Sequence, residues 1–155
     1  MVRPPSIEIR LASLPDLPKL APLFDAYRVF YGRASDLPLA RAFLMDRIVH
    51  DQSVSFVAER ADGELVGFVQ LYPSFSSVSA ARIFILNDLY VAPAARRTGV
   101  ASMLLEAAAT HARSTGAVRM SLSTAVDNHA AQALYARHGW VRDDAFYSYD
   151  LALTS

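Results

Sequence analysis

The sequence predicts a mixed α/β fold: a sheet of about seven strands with helices on both faces. Three observations carry this expectation. Segments that alternate apolar and polar residues, the period of a strand, are interleaved with segments of helical period. One run, residues 82–91, is apolar on both faces, which marks a strand in the middle of a sheet. No linker or internal repeat interrupts the 155 residues, a length that suits one domain with its own core. A single domain over residues 1–155 is the expected organisation.

In chain order, Ile7, Ile9 and Leu11 alternate with polar residues and predict a first strand over residues 6–11. A helix from about Asp16 to Tyr31 follows, with Leu20, Leu23, Phe24, Tyr27 and Phe30 near helical spacing. Pro18 suits its first turn, Pro22 is expected to kink or delay it, and Gly32 stops it. Ser35 or Asp36 caps a second helix that runs to about Val49, with Pro38 close to its first turn. Residues 53–59 read as a strand, Asp62-Gly63 as a hairpin turn and residues 65–72 as its antiparallel partner. The serine-rich residues 73–80 are expected to form a loop before the central strand. A helix from about Thr98 to Ser114 places Val100, Leu104, Ala107, Ala108 and His111 on one stripe, and Gly116 ends it. Residues 118–124 predict a buried strand and residues 128–138 a helix stopped by Gly139. Trp140-Val141 and residues 146–153 supply the last strands. The order is β-αα-βββ-α-β-α-ββ.

Composition narrows the function. With 53% hydrophobic and 19% charged residues the chain is globular, neither disordered nor fibrous. Fifteen basic residues balance fifteen acidic ones, which argues against broad nucleic-acid binding. There is no cysteine, hence no disulfide, thiolate zinc site or cysteine nucleophile. Met1-Val2-Arg3-Pro4-Pro5 lacks the apolar run of a signal peptide, and no stretch is long and apolar enough to span a membrane. A cytoplasmic protein without nucleic-acid or membrane partners is expected. His50, His111, His129 and His138 lack metal-ligand spacing, so no metal is expected, and His111 reads as a satisfied, half-buried residue.

Two constellations carry chemistry. After the central strand, Arg96-Arg97-Thr98-Gly99-Val100-Ala101 reads as a basic, glycine-containing turn that opens a helix. Such a turn aims backbone N–H groups and a helix dipole at one point, which suits a phosphate. Gly99 lets the backbone approach, the two arginines can pair with phosphate oxygens and Thr98 can donate its hydroxyl. Taken alone, an Arg-Arg-x-Gly is more often a surface turn with solvated arginines. No P-loop or Gly-x-Gly-x-x-Gly motif is present. Downstream, Asn128, Ala131 and Tyr135 stand at i, i+3 and i+7 on one helical face, followed by Gly139-Trp140. That face suits a groove for an extended ligand, although a lone Tyr135 is better explained as a core tyrosine with a satisfied hydroxyl.

Together, and about 30 residues apart, these segments resemble the two cofactor-binding motifs of the GNAT superfamily of acetyl-CoA-dependent N-acetyltransferases. Arg96 to Ala101 matches Arg/Gln-x-x-Gly-x-Gly/Ala, and Asn128 to Tyr135 with Gly139-Trp140 matches Asn-x-x-Ala-x-x-x-Tyr and its Gly-aromatic turn. The element order fits as well, so the resemblance covers nearly the whole chain. It implies a mostly antiparallel sheet of the GNAT type, acetyl-CoA as cosubstrate and direct attack by an amine. It further implies that Tyr135 is the general acid to the thiolate and that Leu89, Tyr90 and Val91 run alongside the pantetheine arm. Arg96, Arg97, Thr98, Gly99, Val100 and Ala101 would hold the pyrophosphate, with Asn128 and Ala131 on the cofactor helix. Some members place a glutamate base on the central strand; Ile85 and Asn87 occupy those positions here, which leaves Asp88 as base or amine-recognition group. The alternative for Asp88 is a bulge cap or an arginine partner. Leu86-Asn87-Asp88-Leu89 also resembles the polyamine acetyltransferases, with one of their two acids retained. Tyr27, Tyr31, Asp36, Asn87 and Phe75 are candidate walls of the acceptor site. The expected substrate is a small-molecule amine; a protein lysine or N-terminus, and a non-catalytic coenzyme A sensor, are the alternatives. By analogy a homodimer is expected, with the apolar segment 147–153 pairing across a two-fold axis.

Overall fold

The structure, a computed structural model, describes residues 6–154; the N-terminal reading of residues 1–5 lies outside them. The chain divides into two compact units, Met1–Ser123 and Thr124–Ser155.

The first unit is built on a five-stranded sheet of order β1-β2-β3-β4-β5. The strands are β1 (Ile7–Leu11), β2 (Val54–Arg60), β3 (Leu65–Ser76), β4 (Ala81–Val91) and β5 (Met120–Ser121). The first four pair antiparallel, and β5 joins β4 in parallel through Phe84↔Met120 and Ile85↔Ser121. Helices α1 (Leu17–Phe30), α2 (Leu37–Val49) and α3 (Val100–Ser114) complete the unit. The mixed, mostly antiparallel sheet is as expected, while seven strands are not found among the described residues.

The chain differs locally from expectation in four places. α1 runs through Pro22 without a break: one lost backbone bond costs less than the burial of Leu20, Leu23 and Phe24 gains. β3 extends through Ser76, because Pro73 to Ser76 pair with Phe84 to Ala81, so the expected loop shrinks to residues 77–80. β5 covers two residues in place of seven. Residues 140–154 contain no strand, although their alternation suggested two. Asp36, not Ser35, caps α2 by accepting from Leu39 N–H at 3.1 Å. The Ser35 hydroxyl instead donates to Asp25 at 2.6 Å, and with the Asp36 N–H it holds that carboxyl below its usual range.

Two layers cover the sheet. Phe68 of β3 and Tyr90 of β4 meet Phe24 and Tyr27 of α1, and this cluster extends to Leu44 of α2. On the opposite face Phe56 and Phe84 meet the His111 ring of α3 at 5.6 and 5.8 Å, the packed role expected for that histidine. α3 sits low because β3 carries Gly67. A Cβ there would lie 3.1 Å from the Tyr90 carbonyl oxygen and 3.2 Å from both Val100 and Leu104. The oxygen belongs to the sheet and cannot yield, so a side chain at this position lifts the first turn of α3. Gly67→Val is expected to lower stability by about 1–3 kcal/mol, read as a reduced urea midpoint at unchanged m-value.

The second unit contains α4 (His129–Arg137) and then irregular chain. None of its described residues is buried.

Candidate active site

One extra residue in β4 sets the chemistry of the sheet surface. Gln70 pairs with Asp88, but Leu71 pairs with Leu86, so Asn87 is the bulge residue. Before the bulge Phe84 and Leu86 lie on the α3 face; after it, Asp88 and Tyr90 lie on the α1/α2 face. Without the bulge, Asp88 would point into the apolar contact with α3.

Asp88 is 3% exposed, and its carboxylate is met by donors on both oxygens. Gln70 Nε2 donates to Oδ2 at 2.5 Å, and Asn87 Nδ2 to Oδ1 at 2.8 Å. The Gln70 amide also donates to the Tyr72 hydroxyl at 3.2 Å, while Tyr27 Oη lies 3.5 Å from the Asn87 carbonyl oxygen. Burial and then the Asp88 charge push the Tyr72 phenol up to about 12, and the same causes in the same order push Tyr27 well above its usual value. Both hydroxyls are therefore protonated donors at neutral pH. No described cation pairs with Asp88. Gln70 Oε1 is buried with no hydrogen-bond partner among the described residues. A buried carboxylate needs compensation; here two amide donors supply it, and one amide oxygen is left ready to accept.

Of the expected acceptor-site residues, Tyr27, Asn87 and Asp88 are brought together. Tyr31 stands at the C-terminal end of α1, 58% exposed, with its ring 5.0 Å from that of Tyr27. Ile85 pairs with Tyr72 on the same face as Asp88. Phe75 is not brought in. It pairs with Arg82 on the opposite face of the sheet, 70% exposed beneath that guanidinium. Its place in a strand, unread from the serine-rich sequence, is what turns it away. Asp36 is occupied as the cap of α2. Gln70 and Tyr72 were not singled out by sequence. The available signal was a lone amide side chain inside the apolar run from Leu65 to Leu71, since buried polar groups require partners.

The other half of the site is the end of β4 and the turn after it. β5 accompanies β4 only at Phe84 and Ile85. Beyond them, through Leu89, Tyr90 and Val91, that edge has no strand partner among the described residues. Such an edge offers backbone groups to an extended ligand. The chain then passes through a 3-10 turn, Pro93–Ala95, into two left-handed residues, Arg97 at φ 63° and Gly99 at φ 84°. Left-handed residues close together turn successive N–H groups to one side, and α3 begins at Val100 with its first N–H groups unpaired within the helix. A Cβ on Gly99 would meet nothing within 4 Å, so glycine is needed there for conformation rather than space.

The side chains of this turn divide the work. Arg96 Nε donates to the Val91 carbonyl at 3.0 Å, and its guanidinium lies 5.6 Å from the ring centres of both Phe30 and Tyr90. Thr98 Oγ1 donates to the Ala95 carbonyl at 2.5 Å. Both contacts hold the turn's own shape. Arg97 is exposed, and its side chain has no hydrogen bond, ion pair or ring contact among the described residues. A shallow depression of about 370 Å³ lies nearby, lined in part by Pro18, Pro22, Ala26, Tyr90 and Pro93; Asp88 is not part of it.

In the second unit Asn128 Oδ1 accepts from Ala131 N–H at 3.3 Å and so caps α4. Gln132 Nε2 donates to the carbonyls of Ala125 and Val126 at 3.1 and 3.0 Å, tying down the approach to the helix. Tyr135 is half-buried with its ring centre 6.0 Å from that of Trp140, and Trp140 N–H donates to the Tyr135 carbonyl across the Gly139 turn. No group of His, Asp or Glu able to hold a metal occurs among the described residues.

Comparison with known proteins gives one consistent result. Residues 20–140 match the Acetyltransferase (GNAT) family. The chain is 47% identical over 145 residues to "Uncharacterized N-acetyltransferase YhfO" of Bacillus subtilis (strain 168), covering 94% of this chain and 97% of that protein. It is 30% identical over 100 residues to "Aminoglycoside N(6')-acetyltransferase type 1" of Klebsiella aerogenes, covering 63% of this chain and 65% of that protein. A crystal structure described as "a probable acetyltransferase" superposes with a TM-score of 0.91 at 47% identity, covering 96% of this chain and 99% of the other.

Proposed function

The chain belongs to the GNAT family of acetyltransferases, and from that premise we propose that it transfers an acetyl group directly to a primary amine of a small molecule, with Asp88 receiving the amine. The acyl donor is acetyl-CoA. The turn at residues 96–101 fits its pyrophosphate: two left-handed residues, a helix N-terminus and an exposed Arg97 converge on one segment.

The observation that carries the acceptor reading is the Asp88 carboxylate, buried, hydrogen-bonded on both oxygens and unpaired with any described cation. An alkylammonium supplies the missing charge and the donors. One N–H meets Asp88 and another meets the orphaned Gln70 Oε1. An amine with a pKa of about 10.4 arrives protonated at neutral pH and must shed a proton before it attacks. Asp88 takes that proton, directly or through water. The free edge of β4 at Leu89 to Val91 provides the amide that polarises the thioester carbonyl. The Tyr135 phenol supplies the proton to the departing thiolate. With no cysteine in the chain, a cysteinyl acyl-enzyme is excluded. The aminoglycoside enzyme among the relatives supports a small-molecule acceptor.

Acetyl-CoA turnover with polyamines, amino acids, aminoglycosides and peptides tests the reading. Acetylation of small amines is expected, turnover of peptides alone would overturn the acceptor class, and the absence of a thermal shift with acetyl-CoA would overturn the donor. A separate expectation concerns the turn. Gly99→Val forces a β-branched residue to φ 84°, at a backbone cost of about 1–3 kcal/mol. Isothermal titration should show acetyl-CoA binding weakened about 10- to 100-fold, with the melting temperature of the free protein lowered by about 2–4 °C for each kcal/mol of that cost.

A further inference from the structure

The face of the sheet that carries Asp88 also carries an arginine without a counter-ion. Arg47, near the end of α2, is half-buried, and its guanidinium lies 4.5 Å from the centre of the Phe43 ring. Phe43 stacks on Phe24, which packs against Phe68 of β3. Phe68, Gln70 and Tyr72 recur at every second residue of that strand and so share one face of it. The chain path fixes the other coordinate. Residues 50–53 lead from α2 to β2, whose first residue, Val54, pairs with Leu71, the neighbour of Tyr72. Arg47 therefore stands at the Tyr72 end of the site. Burial and the Asp88 charge raise the Tyr72 phenol, and the Arg47 charge opposes them.

The two ends of this site have opposite needs. No carboxylate of a described residue pairs with Arg47, and its Nε is buried without a hydrogen-bond partner. The ring beneath it attracts the charge but leaves the in-plane N–H groups without an acceptor. Tyr72 accepts from Gln70 Nε2, and its own hydroxyl proton meets no acceptor among the described residues. At the other end Asp88 lacks a cation among the described residues, and Gln70 Oε1 lacks a donor. The same Gln70 nitrogen reaches both Asp88 Oδ2 and Tyr72 Oη, so one amide group separates the Asp88 carboxylate from the phenol.

We infer that the acceptor site takes an α-amino acid, with its ammonium on Asp88 and Gln70 Oε1 and its carboxylate on the Tyr72 hydroxyl and the Arg47 guanidinium. The inference rests on the reading that Asp88 receives the amine, and it narrows the substrate of that site. One guanidinium matches the single charge of a carboxylate and donates to it as a fork. A plain alkylamine would leave Arg47 and the Tyr72 proton without an acceptor. A polyamine would bring a second cation toward Arg47, a repulsion that selects against it. Spacing selects further. An α-amino acid holds both charged groups on one carbon, which suits a carboxylate and a phenol one amide apart, whereas an ω-amino acid spreads them along a chain.

Matched acceptors test it: alanine against ethylamine, leucine against isoamylamine and tyrosine against tyramine, each pair differing by one carboxylate. The best amino acid should exceed its amine in kcat/KM by at least about 10-fold, the worth of a charge-assisted hydrogen bond. Pentylamine and 6-aminohexanoate should show no such gain. In Arg47→Met, which keeps an unbranched stem over Phe43, the ratio within each pair should fall to about one, and a ratio is insensitive to a general loss of rate. A second readout needs no turnover. In 15N-labelled protein with coenzyme A added, at least one of the three amino acids should shift the Arg47 Nε–H signal, and none of the three amines should. Absence of that signal in Arg47→Met assigns it; Arg47→Lys, which also lacks the Nε–H, serves if the first variant does not fold. Equal kcat/KM within the pairs, a preference that survives in Arg47→Met, or an unmoved signal would each overturn the inference while acetylation of small amines stands. No turnover of any amine, with the signal still shifted by an amino acid, would overturn the small-amine acetylation and support the carboxylate site.

Discussion

Replacing Tyr135 by phenylalanine lowers kcat by about 10²- to 10⁴-fold, the contribution expected of a positioned general acid. The substitution isolates the hydroxyl. The ring packs 6.0 Å from Trp140, and phenylalanine keeps that contact, so α4 and the Gly139 turn should retain their form. Acetyl-CoA affinity and the KM for the amine should both change by less than about threefold, because a general acid acts when the thiolate leaves and not when substrates bind. Steady-state kinetics with a titration of acetyl-CoA read these quantities separately. An unchanged kcat would remove Tyr135 from the proton path and leave it a packing residue beside Trp140.

Asp88→Asn has the second large effect, and its signature is different. The carboxylate is buried and meets two amide donors. Losing the charge partner of a desolvated ammonium costs about 2–4 kcal/mol, roughly 30- to 1,000-fold in kcat/KM. The effect should depend on pH in one direction. A carboxylate captures the charged amine, so the penalty on KM is full at neutral pH and fades as pH rises toward the amine pKa of about 10.4. Some stability is lost too. An asparagine at this position must turn its own NH2 toward Gln70 or Asn87, which costs about 1–3 kcal/mol for the unsatisfied donors. A melting curve measures that part and kcat/KM against pH measures the other. A loss of the same size at every pH would reduce Asp88 to a residue that holds the bulge.

Much of the fold is legible in the chain because its signals are local. The helices are marked by their periods and by Asp36, Gly32 and Gly116, and the hairpin by Asp62-Gly63. Both motifs are read at the correct places, with Arg96 to Gly99 in the turn and Asn128 to Tyr135 at the start and on the body of α4. The cap role of Asn128 and the bracing by Arg96 and Thr98 were not legible, because a side chain's partner is set by what surrounds it. Phe75 was misplaced for a related reason: residues 73–76 lack strong strand propensity, and pairing with β4 alone makes them a strand. The last two predicted strands show the converse. Residues 146–153 alternate strongly, yet alternation says only which side is apolar, and a strand exists when a neighbour satisfies its backbone.

By itself, then, the sequence determined the family, the glycine-containing turn that opens α3 and the identity of the one acid on the central strand. All of these rest on residue types at short, fixed spacings. Only the tertiary structure decided which face of the sheet that acid joins. The bulge at Asn87 adds one residue without any mark in the local pattern, reverses the alternation of β4 and places Asp88 beside Gln70, Tyr27 and Tyr72. Register is a property of two strands together, and no single strand's sequence contains it.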